Sequence, residues 1–333
     1  MAADTHVNEA HAAAVQGAWK LLSERLPRSP LLPFAGEATP RRLLLKAESL
    51  MPTGSFKIRG ATYCIARMSH AERARGVVAY STGNHAQAVA KAAWDAGVRA
   101  TIVMSQDAPA AKVSNTMHWG AEVVMAASSS NARRALAEQL AQDTGALLIP
   151  PYDHPDVVAG QGTVGLELLA QLQAEPPAAV YVPVGGGGLL AGIAVAIKAC
   201  SPRTWVIGVE PELENDACRS FAAGTLVAAL GPSTSMADAI KVQSLGAFNF
   251  ELIRRHVDAM VTVNEAAIGR AVIDCFTGNR LLVEPAGAVA LAAARAYGPR
   301  AGHPELAGRP VVAIVSGGNT TADFIKTLQG ASS

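Results

Sequence analysis

A lysine, a polar turn, a run of four glycines and a late serine are the pieces of this sequence that could do chemistry. In PTGSFKIRGA, Lys57 follows Ser55 and Phe56 at the expected start of a helix. An aromatic ring and small neighbours partly desolvate an amine, which lowers its pKa and makes it a better nucleophile toward an aldehyde. A lone lysine is ordinarily a solvated surface charge, so Lys57 gains meaning only from its company. In YSTGNHAQAVAKAA, Ser81, Thr82, Gly83, Asn84 and His85 form a polar turn into a helix. Hydroxyls, an amide and helix-terminal N–H groups together suit a carboxylate, although a plain N-cap would be equally well formed. His85 by itself reads as a packed or hydrogen-bonding residue rather than a catalyst.

The strand AAVYVPV runs into Gly185, Gly186, Gly187 and Gly188, after which LLAGIAVAIKAC has helical composition. N–H groups free of side chains at a helix N-terminus admit a phosphate closely, so the run reads as an anion cup. Gly186, Gly188 and Ala191 also satisfy a relaxed G-x-G-x-x-A fingerprint, with Glu210 near where a ribose-binding acid would sit, so taken alone the run could bind NAD. Against this, the fingerprint usually opens its domain, and here about 180 residues with their own α/β rhythm precede it. Finally, PVVAIVSGGNTTADF brings Ser316, Gly317, Gly318 and Asn319 to the carboxyl edge of a strand, where open α/β sheets bind ligands.

Strands and helices must deliver these pieces, and the sequence supplies them in alternation. From about Val77 the strands VVAY, ATIVM, EVVMA and ALLIP are separated by Ala-rich helical stretches. A second series follows Tyr152: helix GQGTVGLELLAQL, strand AAVYVPV, strand TWVIGVE, strand DAMVTV, helices from Glu265 and after Pro285, and strand PVVAIVS. Strands this apolar are buried on both faces, which predicts doubly wound parallel α/β sheets. Residues 1–68 do not follow the rhythm cleanly. They are expected to join residues 154–333 in a larger domain, with 69–153 inserted as a smaller one.

Composition narrows the partners. With 28 Lys and Arg against 27 Asp and Glu, the net charge of +1 gives no electrostatic reason to bind nucleic acid, so a small polar ligand fits better. Cys64, Cys200, Cys218 and Cys275 are scattered, with neither disulfide-framework nor zinc-ribbon spacing. The N-terminus lacks a basic and apolar leader, and no apolar run could span a bilayer, so the expected setting is cytoplasmic, with no membrane partner.

PTGSFKIRGA, STGNHAQA, PVGGGGLLAG, VEPAGAVALAA and VSGGN occur in an order and spacing that resemble the fold-type II pyridoxal-phosphate enzymes, within them the serine and threonine dehydratase and serine racemase group. The resemblance covers nearly the whole chain. It implies two doubly wound, tryptophan synthase β-like domains, pyridoxal 5'-phosphate held by the larger one, and a homodimer. By it Lys57 forms the Schiff base, Phe56 packs against the cofactor, and Gly185 to Gly188 bind its phosphate. Asn84 would bond the pyridine 3-oxygen, the 81–85 turn would hold the amino-acid carboxylate, and Ser316 would face the pyridine nitrogen. The carboxylates of Glu210 and Asp216 and the carbonyl of Glu214 would hold Mg²⁺ or another divalent cation, although a solvated acidic turn has the same composition. Glu284 would support the site or serve structure alone.

The implied reaction is loss of water from a 3-hydroxy amino acid, giving a 2-oxo acid and ammonia, with Lys57 taking the Cα proton. Relatives in this group commonly carry two serines before the Gly-Asn pair, the second being the opposite-face group in racemisation. Here that place holds Thr82, whose added methyl restricts its rotamers, so elimination is expected over racemisation. A racemase or a bifunctional racemase-dehydratase is the alternative within the group; a non-catalytic nucleotide- or amino-acid-binding protein is the alternative outside it. The same threonine leaves serine, threonine, phenylserine and 3-hydroxyaspartate all open as substrates. Ile58 after the lysine, where β-replacement synthases usually carry Asp, speaks against that reaction.

Overall fold

A computed structural model describes residues 2–36, 42–173, 175–231, 233–297 and 308–331. In chain order the first elements are α1 (Ala2–Leu22), β1 (Leu31–Pro33), β2 (Leu43–Ala47), α2 (Lys57–Ala66), α3 (His70–Arg75), β3 (Val77–Tyr80), α4 (Asn84–Asp95), β4 (Ala100–Ser105), α5 (Ala110–Met117), β5 (Glu122–Ala126), α6 (Ser130–Thr144) and β6 (Leu147–Leu148). They continue as α7 (Pro155–Leu172), β7 (Ala179–Pro183), α8 (Gly188–Cys200), β8 (Trp205–Pro211), α9 (Asp216–Ala223), α10 (Ala247–His256), β9 (Ala259–Val263), α11 (Glu265–Thr277), α12 (Pro285–Tyr297), β10 (Val311–Val315) and α13 (Ala322–Ala331).

Two sheets result, as the alternating rhythm predicts. One has six strands in the order β1-β2-β10-β7-β8-β9, the other four in the order β5-β4-β3-β6. Every pairing among the described residues is parallel except β1 with β2, an antiparallel edge that the sequence did not signal. Strand β6 is also shorter than ALLIP suggested, with only Leu147 and Leu148 on the ladder. Strands β2, β7 and β10 are buried along their full length, which is why β7 and β10 read as continuous apolar runs.

Helices cover both faces of the six-stranded sheet. On one side α7 and α8 pack so closely that a Cβ on Gly192 would lie 2.6 Å from the Gly162 nitrogen, so only glycine permits the crossing. Helix α12, buried from Pro285 to Ala294, packs on the other side with Leu45, Ile207 and Val311. Helix α2 reaches between the sheets: its Ile58, Cys64 and Ile65 join Val77 and Ile102 of the four-stranded unit in one cluster. Among the described residues, no helix is long and apolar enough to cross a membrane. The carboxyl ends of β3, β7 and β10 lead into the polar turn, the glycine run and the late serine, respectively.

Candidate active site

The loop before α2 is held by the loop after β10. Ser55 and Gly317 form an isolated antiparallel bridge; Phe56 N–H donates to the Ser316 carbonyl at 3.1 Å, and Gly318 N–H to the Gly54 carbonyl at 2.8 Å. Gly54 is left-handed, with φ of 69°, and a Cβ there would lie 2.6 Å from Asn319 Oδ1, so the turn needs glycine. Segments some 260 residues apart in sequence thus place Lys57, the first residue of α2, beside Ser316. Lys57 Nζ donates to the Pro151 carbonyl at 2.6 Å and stands 5.2 Å from the Phe56 ring centre. Burial pushes its pKa down to about 8, against the opposing pull of Glu284. The amine is therefore partly neutral near physiological pH, as a nucleophile or base requires.

The polar turn lies on the same side. Gly83 ends it and α4 starts at Asn84 with no side-chain cap, so the Asn84 and His85 N–H groups find no protein acceptor among the described residues. Ser81 Oγ accepts from the Gly83 N–H at 3.2 Å, which shapes the turn without closing its open end. Thr82 is half-buried beside it. His85 is buried, with Nε2 at 2.9 Å from the Ile149 carbonyl, and burial next to Lys57 holds its pKa down at about 3. A neutral ring donating from Nε2 leaves Nδ1 a bare acceptor, and Nδ1 has no partner. The sequence expectation that His85 packs and hydrogen-bonds fits this placement.

Asn84 is committed on both sides of its amide: Nδ2 donates to Glu284 Oε1 at 2.6 Å, and Oδ1 accepts from Asn319 Nδ2 at 2.7 Å. Burial pushes the Glu284 carboxyl up to about 7, and the Asn84 hydrogen bond works against that rise. Glu284, Asn84 and Asn319 thus form one chain linking α12, α4 and the loop after β10.

The glycine run folds tightly against protein. Gly187 is left-handed at φ of 89°, a Cβ on Gly185 would lie 2.9 Å from the Ile240 carbonyl, and one on Gly186 would run into the Tyr152 ring. Asn249 Nδ2 holds the Gly186 carbonyl at 2.6 Å and the Tyr152 carbonyl at 3.3 Å. With their outer face filled this way, the N–H groups of Gly185 to Gly188 have no protein acceptor among the described residues. A cradle of unpaired N–H groups at the start of α8 fits a phosphate. Pro151, Tyr152 and Asn249 are site-building residues that sequence reasoning passed over. PPYDHP, a turn between β6 and a helix opened by proline, was the available signal.

Glu210 has a different task from the one an NAD fingerprint requires. It is buried, and its oxygens accept from the Ala217 and Cys218 N–H groups at 3.1 and 2.7 Å, capping α9. Its oxygens are turned toward the start of α9, which weighs against a ribose-binding role. Both Asp216 oxygens are buried without a partner, and Glu214 is buried as well. Among the described residues, no three His, Cys, Asp or Glu side chains converge on a metal position.

Fold and site together define a two-sheet α/β enzyme in which a half-buried, partly neutral lysine stands among loops whose unpaired N–H groups, in the glycine run and at the start of α4, suit anions. Residues 22–317 match the family described as pyridoxal-phosphate dependent enzyme, and the chain belongs to that family. It is similar to an L-threo-3-hydroxyaspartate ammonia-lyase of Pseudomonas sp, 43% identical over 290 residues that cover 87% of this chain and 88% of the relative. It is also similar to the serine racemase of Schizosaccharomyces pombe, 39% identical over 281 residues covering 83% of each. Among solved structures, a threonine deaminase from T.th. superposes with a TM-score of 0.85 at 42% identity, over 93% of this chain and 98% of that one.

Proposed function

We propose that this chain eliminates water from a 3-hydroxy amino acid to give a 2-oxo acid and ammonia. The observation that carries this function is Lys57, an amine lowered to about 8 that bonds the Pro151 carbonyl, next to the Tyr152 on which Gly186 and Gly188 pack, and that acts electrostatically on His85 of the 81–85 turn. Pyridoxal phosphate, when bound, supplies an aldehyde that captures the substrate amine and a ring that draws electrons from Cα. Gly185 to Gly188 would hold its phosphate through their N–H groups, Phe56 would pack against its ring, and Asn84 would steady its ring oxygen. The substrate carboxylate would lie on the open N–H groups of Asn84 and His85 with the Ser81 and Thr82 hydroxyls. Lys57 would then take the Cα proton. Ser316 would face the ring nitrogen with a neutral hydroxyl, which would not hold a proton there as an Asp would, and this favours loss of the β-hydroxyl as water over a long-lived carbanion. Racemisation is the second function, favoured by the similarity to a serine racemase; the methyl of Thr82 opposes it.

The deciding experiment is the visible spectrum of the purified protein before and after L-Ser, L-Thr, 3-hydroxyaspartate and phenylserine, with 2-oxo acid followed alongside. The expected result is a yellow protein whose band changes with one hydroxy amino acid and yields its oxo acid, 3-hydroxyaspartate leading because a relative bears that name. A yellow protein that only inverts Cα would transfer the proposal to racemisation.

Three further expectations belong to the same proposal. The division into residues 1–68 with 154–333 and residues 69–153 follows the two sheets, since strands β3 to β6 fall within the inserted part. A homodimer in a reducing, cytoplasmic setting agrees with four free cysteines and with exposed apolar side chains such as Phe276 and Leu282, which a second copy could cover. Glu210, Asp216 and the Glu214 carbonyl would hold a divalent cation, supported by the unpartnered Asp216 oxygens. Burial raises Glu210 to about 8 and Asp216 to about 6. The fold thus keeps protons that the unfolded chain releases near pH 4, and it loses stability as pH rises from about 4 to about 8. A cation replaces those protons, so magnesium is expected to raise the melting temperature more at about pH 8 than at about pH 5.5. Equal shifts at both would reject the cation.

A further inference from the structure

Two residues after Lys57, α2 carries Arg59, whose side chain is only 1% exposed. Its guanidinium donates to Glu48 twice, at 2.8 Å each, and to Glu167 twice, at 3.1 Å each, with longer bonds to Thr163 Oγ1 at 3.3 Å and Ser29 Oγ at 3.4 Å. Lys46, also fully buried, donates to Glu167 at 2.5 Å and to the Ser29 carbonyl and Gln171 at 2.8 Å each. Two cations and two carboxylates thus balance inside the protein. They tie together β2, the 3-10 turn Glu48–Leu50, α2 and α7. The Lys57 amine is bonded to the carbonyl of Pro151, just ahead of α7. Directly after Arg59, α2 crosses α7 with no slack: a Cβ on Gly160 would lie 2.6 Å from the Gly60 Cα.

Buried ion pairs add little stability over apolar residues of the same volume, because removing charges from water cancels most of their attraction. What such a cluster can supply is fixed geometry. Resting on the pyridoxal-phosphate function above, we propose that Arg59, with Glu48, Glu167 and Lys46, is a positioning residue that sets where the Lys57 amine stands relative to cofactor and substrate Cα. A misplacement of about 1 Å costs a reaction roughly a hundredfold, so a clamp within one helical turn of the amine has a large effect on rate without touching substrate.

The test is the double substitution Arg59→Met with Glu48→Leu, which removes one charge of each sign and keeps the interior balanced. It is expected to melt near the wild-type temperature and to bind cofactor. Its kcat is expected to fall about a hundredfold with KM little changed, and the pH titration of the bound cofactor's absorption band should be displaced. A folded double variant with wild-type kcat and wild-type titration overturns the proposal. If the double variant does not fold, Arg59→Lys decides on the same readouts, since it keeps the charge but cannot bridge two carboxylates with a planar fork. Should that also unfold, the cluster serves stability and the proposal is overturned. A wild-type protein that takes up no pyridoxal phosphate would instead mark failure of the underlying function.

Discussion

Lys57→Ala is expected to abolish elimination and leave the fold intact. The substitution places a strong helix former at the first position of α2 and removes an amine that burial already disfavours in its charged form, so the melting temperature should hold or rise. What disappears is the nucleophile and base. Among the described residues, the one side-chain hydrogen bond lost with it is that to the Pro151 carbonyl, which leaves no neighbouring side chain there unpaired. Activity is expected to drop by at least about 10⁴-fold, measured as 2-oxo acid released per mole of protein. The variant should also lose the visible band of covalently attached cofactor. Near-normal turnover without Lys57 would sink the proposed function, because Lys57 is the group to which it assigns both nucleophile and base.

Gly186→Ala is expected to act on cofactor binding. The new Cβ would occupy the space of the Tyr152 ring, so the ring or the glycine run must shift, and Asn249 holds the backbone carbonyls of both residues in place. Inserting a methyl into a filled site costs about 1–3 kcal/mol. That cost falls on the arrangement that keeps the Gly185 to Gly188 N–H groups pointing together. Cofactor affinity is therefore expected to weaken about ten- to a hundredfold, read by titrating the cofactor-free protein with pyridoxal phosphate. Gly188→Ala offers a comparison, since its Cβ would press on the Tyr152 carbonyl at 2.9 Å. If Gly186→Ala bound cofactor as tightly as wild type, the run would be a packing turn and its role as a phosphate cradle would fall.

Much of this arrangement was legible in sequence because it is local. A glycine run between a strand and a helix, a lysine opening a helix and a polar turn after VVAY each declare themselves within a short stretch of chain, and α2 and α4 do begin at Lys57 and Asn84. Fully apolar runs marked β7 and β10 as interior strands. Partnerships across long separations were not legible. That Asn84 would bond Glu284, 200 residues away, or that Asn249 would bind the Gly186 carbonyl, 63 residues away, follows from sheet order and not from any period in the chain. Glu210 shows the converse hazard: its position fitted a ribose-binding acid, and only the start of α9 folding back on it revealed a cap. Strand β1 escaped notice because three residues with a proline carry no usable periodicity.

The place of β10 in its sheet has a consequence for synthesis. This strand, made of residues 311–315, lies between β2 and β7, so the six-stranded sheet stays split into separate halves until residues 311–315 have left the ribosome. The loop that follows it braces Gly54 and Phe56. A nascent chain short of that loop has Lys57 on an unbraced segment, where an unhindered amine would meet aldehydes indiscriminately. Building the brace from β10 delays assembly of the reactive pocket until strands β1 to β9 have been made.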